Sequence, residues 1–112
     1  MENLRESSRV EARHFISYDV RNESGEVIYS GIALSRNLSR KGVQIEARQE
    51  FPINNPVRLH LAVEEDVVDV NGMIRHVEKA DENTYLIGIE FTEIPDEILK
   101  RLAEKYPEIL EK

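Results

Sequence analysis

A polar stretch between two strand-like segments contains side chains that could bind a ligand. It has an amide at Asn37, a hydroxyl at Ser39 and a glycine at Gly42. The amide oxygen accepts hydrogen bonds, the hydroxyl donates and accepts them, and the glycine allows close backbone approach. The same stretch contains two cations, Arg40 and Lys41. A strand connection needs turn residues but not this particular set, so the stretch is a candidate binding loop.

Two arginines four residues apart, Arg5 and Arg9, lie in a polar N-terminal segment that lacks apolar periodicity. We interpret residues 1–9 as a flexible arm. A guanidinium has parallel donors that match a guanine edge or two phosphate oxygens. Arginines near a terminus are more often solvated surface charges, so this pair alone is a weak signal.

The two patterns together, Arg-x-x-x-Arg and then Asn-x-Ser-x-x-Gly, resemble the PilZ family of cyclic di-GMP receptors. The resemblance extends from Arg5 to about Tyr106 and implies a six-stranded barrel with a C-terminal helix. It implies that the bound molecule is cyclic di-GMP, with no separate cofactor. The ligand-binding residues that it implies are Arg5, Arg9, Asn37, Ser39 and Gly42, with possible further contacts from Arg13, Arg40 and Lys41.

Two features of the arginine motif leave alternatives open. Arg9 and Arg13 form a second Arg-x-x-x-Arg pair. We favour Arg5 with Arg9 because relatives enter the first strand directly after the second arginine, and Val10 fits that entry. Leu4 stands where some relatives have an arginine that stacks on a second nucleotide, so we expect one bound nucleotide.

Charge limits the classes of partner. The 112 residues have a net charge of −7, which argues against general nucleic-acid binding. Residues 1–48 contain eight Arg or Lys against seven Asp or Glu, whereas residues 49–112 contain seven against fifteen. An anion is therefore attracted to the first part of the chain, which contains both motifs.

Catalytic and metal chemistry find no support in the composition. The chain has no cysteine, which excludes disulfides and thiolate sites. His14, His60 and His76 lack the spacing of a metal site or a triad, so we predict neither an enzyme nor a metal centre. No apolar run reaches the ~18 residues that span a bilayer, and the first ten residues are too polar for a signal peptide. We therefore expect a cytoplasmic protein without membrane insertion.

Apolar periodicity predicts the elements that would position the two motifs. Period-two patterns predict six short strands, and a change to helical spacing after Pro95 predicts a helix over about 95–106. Gly25 is expected in a hairpin turn and Gly72 at a bulge, and residues 35–42 are interpreted as a loop. These features predict one all-β domain over residues 10–112, a six-stranded antiparallel barrel with a C-terminal helix.

The motif pair and the fold together predict a cyclic di-GMP receptor. We expect binding to change the conformation and to act on an unidentified protein partner, which by family analogy belongs to motility, polysaccharide or adhesion machinery. The alternative is a PilZ-like barrel that binds no nucleotide and works through protein contacts alone. The motif pair distinguishes the two, because degenerate members usually lose it.

Overall fold

Six antiparallel strands close into a barrel in the computed structural model, which describes residues 14–63 and 65–105. The strand order around the barrel is β1-β2-β3-β6-β5-β4, and β4 pairs with β1 to close it. This confirms the predicted fold class. The elements are β1 His14–Arg21, β2 Val27–Leu38, β3 Gly42–Ala47, β4 Pro56–Val63, β5 Asp66–Asp81, β6 Thr84–Glu93 and the helix α1 Asp96–Lys105.

Alternation along the strands places apolar side chains in the barrel interior. In β3, Val43, Ile45 and Ala47 are buried, whereas the residues between them face outward. The same pattern in the other strands builds one continuous core. Each fully buried aliphatic side chain contributes about 1.5–3 kcal/mol relative to an exposed one, so this alternation is the main source of stability.

The helix α1 packs on the core through Leu102, which is fully buried. Its first turn contains Asp96 and Glu97, where the helix dipole favours anions, and Leu99 N donates to Pro95 O at 2.9 Å. The prediction of a helix after Pro95 is thus confirmed. Within the described residues, no helix combines the length and the apolar character that crossing a membrane requires.

An aromatic cluster closes the core beside the β1–β2 hairpin. The rings of Tyr18 and Phe51 lie 4.8 Å apart, and Tyr29 approaches Phe51 edge-on at 6.0 Å. Tyr18 Oη donates to Gln49 Oε1 at 3.1 Å. The backbone of Gly31 lies against Tyr18, because a β-carbon there would stand 2.7 Å from Tyr18 Oη.

The ladder between β1 and β4 is shorter than its neighbour. β1 pairs with β2 from His14 onward, whereas its pairing with β4 runs only from Ser17↔His60 to Val20↔Val57. The closure of the barrel therefore rests on a short set of backbone pairs.

The predicted roles of two glycines are confirmed. Gly25 has φ 86°, as the hairpin between β1 and β2 requires, and Asn22 Oδ1 accepts hydrogen bonds from the backbone of Ser24 and Glu26. Gly72 stands at a register shift between β5 and β6. A side chain at this bulge would meet Glu90 O at 2.8 Å.

The loop predicted over residues 35–42 is largely wrong in its secondary structure. β2 continues to Leu38, and only residues 39–41 connect it to β3. A bulge explains the difference: Ser35 pairs with Ile45 and Asn37 with Gln44, so Arg36 is the extra residue. The polar residues Ser35 and Asn37 therefore take part in the β2–β3 ladder, and the side chain of Leu38 is buried in the core.

The charged segments at both ends of β5 favour turns in the sequence, and the structure confirms this only for Glu65 and for residues 82–83. Asp66 begins the strand, and Lys79 to Asp81 end it. Further bulges near Arg75 and Ala80 bend this long strand around the barrel. The predicted arm 1–9, the segment 10–13 and residues 106–112 lie outside the described residues.

Candidate ligand-binding site

The turn between β2 and β3 is built around Ser39. Ser39 N donates to Gly42 O at 2.8 Å, and its hydroxyl donates to the same oxygen at 3.3 Å. Lys41 N donates to Ser39 Oγ at 3.2 Å. A hydroxyl has one donor and two acceptor lone pairs. Ser39 therefore keeps one acceptor position for a ligand, and it can donate to a ligand only by giving up Gly42.

Asn37 lies at the end of β2 on the outer face of the barrel. The bulge at Arg36 places it opposite Gln44, and Asn37 Nδ2 donates to Gln44 Oε1 at 3.2 Å. Both side chains are half-buried. The oxygen of the Asn37 amide is thus the end that remains to accept hydrogen bonds from a ligand.

The structure explains the glycine at position 42 by the close approach of β6, which the sequence alone does not indicate. Its φ is not positive, since among the described glycines only Gly25 has a positive φ. A β-carbon on Gly42 would instead stand 2.1 Å from Ile89 O. The same approach lets Phe91 N donate to Lys41 O at 2.8 Å. The glycine lets β6 lie close to the turn, and direct ligand contact at Gly42 stays a prediction.

The strand register extends the outer face beside the turn onto β6 and β5. Gln44 pairs with Gly88, and Gly88 pairs with His76 on β5, so a row of outward positions crosses from Asn37 to His76. Gly88 contributes no side chain to this row. A flat polar molecule could therefore lie against the sheet between Gln44 and His76.

Three cations surround the turn. Arg40 and Lys41 are exposed and Arg36 is half-buried. Within the described part of the chain, none of the three forms an ion pair with a carboxylate. The nearby Glu90, opposite Gly42, is paired with Arg75 at 2.8 Å. This arrangement leaves positive charge available to an anion at the turn.

The structure brings together five of the predicted site residues on one turn and the adjoining strand end: Asn37, Ser39, Arg40, Lys41 and Gly42. The predicted residues Arg5, Arg9 and Arg13 lie outside the described residues. Sequence reasoning missed Gln44 and Gly88. The alternation of β3 indicates that Gln44 faces outward, but its pairing with Asn37 depends on a bulge that no Gly or Pro marks.

A second polar cluster lies on the other side of the barrel. His60 Nδ1 lies 2.7 Å from Asp69 Oδ1, and His60 Nε2 lies 3.0 Å from Asp19 Oδ2. Burial alone lowers the pKa of His60, but the hydrogen bonds and charges of Asp69 and Asp19 raise the pKa above its ordinary value overall. In the strand order, β4 is as far from β3 as the barrel allows. This cluster is thus separate from the β2–β3 turn.

The described residues contain no group of three or more His, Cys, Asp or Glu side chains arranged to bind a metal ion. The turn and its neighbouring strands offer hydrogen-bond acceptors, cations and, at Gly88, an outward position without a side chain. This combination suits the binding of an anionic, hydrogen-bonding molecule.

Several solved structures share this fold. MrkH of K. pneumonia in its apo state aligns with a TM-score of 0.64 at 16% identity, covering 91% of this chain and 49% of that one. The inhibitor of motility MotI/DgrA of Bacillus subtilis aligns with a TM-score of 0.58 at 16% identity, covering 95% and 53%. The chain thus spans about half the length of each. At these identities the likeness concerns the fold alone.

A single PilZ domain is also similar over nearly its whole length. The PilZ domain of CeSA from a cellulose-synthesizing bacterium aligns with a TM-score of 0.58 at 14% identity, covering 88% of this chain and 95% of that one. No curated protein matches the sequence. The sequence model of the PilZ domain matches residues 3–106. The match includes both motifs and every described element, and the chain belongs to the PilZ domain family.

Proposed function

We propose that this chain is a receptor for cyclic di-GMP that couples nucleotide binding to a protein partner. The observation on which the proposal rests is the β2–β3 turn, where the Asn37 oxygen and the Ser39 hydroxyl lie close in the chain to cations that form no ion pair among the described residues. The PilZ domain family includes cyclic di-GMP receptors.

The chemistry of the turn supports guanine recognition. The Watson–Crick edge of guanine donates through N1 and N2, and Asn37 Oδ1 is an acceptor that no neighbouring side chain occupies in the described structure. Ser39 keeps one lone pair for a second donor. A base that lies against the end of β2 and the turn would meet both groups.

The phosphates require cations, which the chain offers in two places. Arg40 and Lys41 are exposed beside the turn. Arg5 and Arg9 precede β1 in the sequence, and guanidinium forks bind phosphate oxygens or the guanine O6/N7 edge bidentately. We propose that the arginine pair closes over a nucleotide that the turn has engaged.

The output of such a receptor is a changed surface. The solved structures with this fold include an inhibitor of motility. We propose a protein effector for this chain in the cytoplasm, with binding rather than catalysis as its activity. The candidate effectors are proteins of motility, polysaccharide or adhesion machinery.

Isothermal titration with cyclic di-GMP, with GTP as the control nucleotide, tests the proposal. We expect binding that Asn37→Ala weakens by about 1–3 kcal/mol, while Asn83→Ala in the exposed β5–β6 turn leaves it unchanged. If the folded wild type ignores cyclic di-GMP at near-millimolar concentration, the alternative holds, and the barrel acts through protein contacts alone.

A further inference from the structure

The partner of the Asn37 amide is set by the strand register. The bulge at Arg36 shifts β2 by one residue, so that Asn37 stands directly opposite Gln44. Asn37 Nδ2 then donates to Gln44 Oε1 at 3.2 Å, between two half-buried side chains. Across β3, the next neighbour of Gln44 is Gly88, which has no side chain to compete for the Gln44 amide.

The orientation of this amide decides which base it can read. A freely rotating Asn presents either its oxygen or its NH₂ group to a ligand. Guanine offers donors at both N1 and N2, whereas adenine offers an acceptor at N1 and a donor at N6. An Asn with its NH₂ group bound to the protein presents an acceptor, which can bond both N1 and N2 of guanine but only N6 of adenine, whose N1 would repel it.

We infer that Gln44 is a positioning residue that fixes the Asn37 amide and thereby sets the preference for guanine. This inference rests on the proposed function, since it assigns selectivity to the same site. Gln44 acts through Asn37 and is no part of the two-motif pattern. It adds a specificity-determining position on β3.

Two charged variants separate orientation from electrostatics. In Gln44→Glu the carboxylate can only accept, so it keeps Asn37 Nδ2 where it is and the oxygen toward the ligand. In Gln44→Lys the ammonium can only donate, so it draws the Asn37 oxygen inward and presents NH₂ to the base. Charge alone predicts the opposite order, because the added cation attracts an anionic nucleotide and the added carboxylate repels it.

The experiment titrates wild type, Gln44→Glu and Gln44→Lys with cyclic di-GMP at moderate salt, which screens the added charges. We expect Gln44→Lys to bind at least about tenfold more weakly than Gln44→Glu. In an Asn37→Ala background the order should reverse to the one that charge dictates. Cyclic di-AMP is the second ligand, and the ratio of the two affinities should fall in Gln44→Lys and persist in Gln44→Glu.

The outcomes distinguish this inference from the function on which it rests. If the wild type does not bind cyclic di-GMP, the proposed function fails. If the wild type binds and Gln44→Lys binds as tightly as Gln44→Glu or tighter, the role of Gln44 is refuted and the receptor stands. Thermal unfolding of each variant checks the fold, and Gln44→Ala, which frees the amide without adding charge, should lower the affinity ratio if either charged variant fails to fold.

Discussion

The carbonyl oxygen of Ile89 occupies the space that a side chain on Gly42 would need, since a β-carbon there would stand 2.1 Å away. Gly42 begins β3 and pairs with Glu90 on β6. The last residue of the Asn-x-Ser-x-x-Gly motif is therefore required by the barrel itself, whether or not a ligand is present.

Gly42→Ala should destabilise the fold, because the clash is with backbone and cannot be relieved by a rotamer change. Overpacking of this kind costs about 1–3 kcal/mol. Urea unfolding measures the loss, and Gly25→Asn is the control, since Asn tolerates positive φ and nothing lies within 4 Å of that position. Equal stability of Gly42→Ala and wild type would show that β6 can move away from the turn.

Arg9→Ala should weaken cyclic di-GMP binding by about 1–3 kcal/mol, because the proposed bidentate contact would be lost. The free energy of unfolding should change little. Arg48→Ala, at an exposed position after β3, is the matched control for removal of one positive charge. Arg5→Ala and Arg13→Ala decide the register: a loss at Arg5 supports the favoured pair, and a loss at Arg13 supports the other.

His60 should make stability depend on pH. Carboxylates only accept, so both His60 nitrogens must carry protons to bond Asp19 and Asp69 at once. With the pKa of His60 raised in the fold, the stabilisation is fully present below the unfolded value of about 6.5 and is lost as pH rises through the folded pKa. Arg21, 3.7 Å from Asp19, competes for the same carboxylate.

Urea unfolding at about pH 5.5 and pH 8.5 tests this sign. The wild type should lose more stability over that interval than His60→Gln does. His76→Gln is the control, because His76 is exposed and lies 3.6 Å from a single carboxylate, Glu78. Parallel changes in wild type and His60→Gln would mean that the two aspartates do not hold a proton on the ring.

Tyr18 and Gly31 should be energetically coupled. Tyr18→Phe removes the hydrogen bond to Gln49 and should cost about 0.5–1.5 kcal/mol. Gly31→Ala forces a β-carbon to 2.7 Å from Tyr18 Oη, so it should cost more in the wild type than in Tyr18→Phe. Additive losses in the double mutant would indicate that the ring shifts freely despite its packing on Phe51.

Local patterns in the sequence were sufficient for most of the elements. Alternation in residues 43–47 and helical spacing after Pro95 identified β3 and α1, and Gly25 marked the hairpin, because each signal acts over a few residues. The sequence did not predict that β2 continues to its polar end. Ser35 and Asn37 are residue types typical of turns, and no Gly or Pro indicates the bulge at Arg36. The Asn37–Gln44 contact depends on that register, so it could not be predicted.

The short β1–β4 ladder determines which backbone pairs would first resist a force applied to the chain before His14. From His14 to Ile16 the backbone of β1 is paired to β2, and pairing to β4 starts only at Ser17. A pull on the chain ahead of His14 would therefore load the β1–β2 ladder before the β1–β4 ladder. Along those three residues the described backbone pairing of β1 comes from β2, and the four pairs beyond them keep the circle shut.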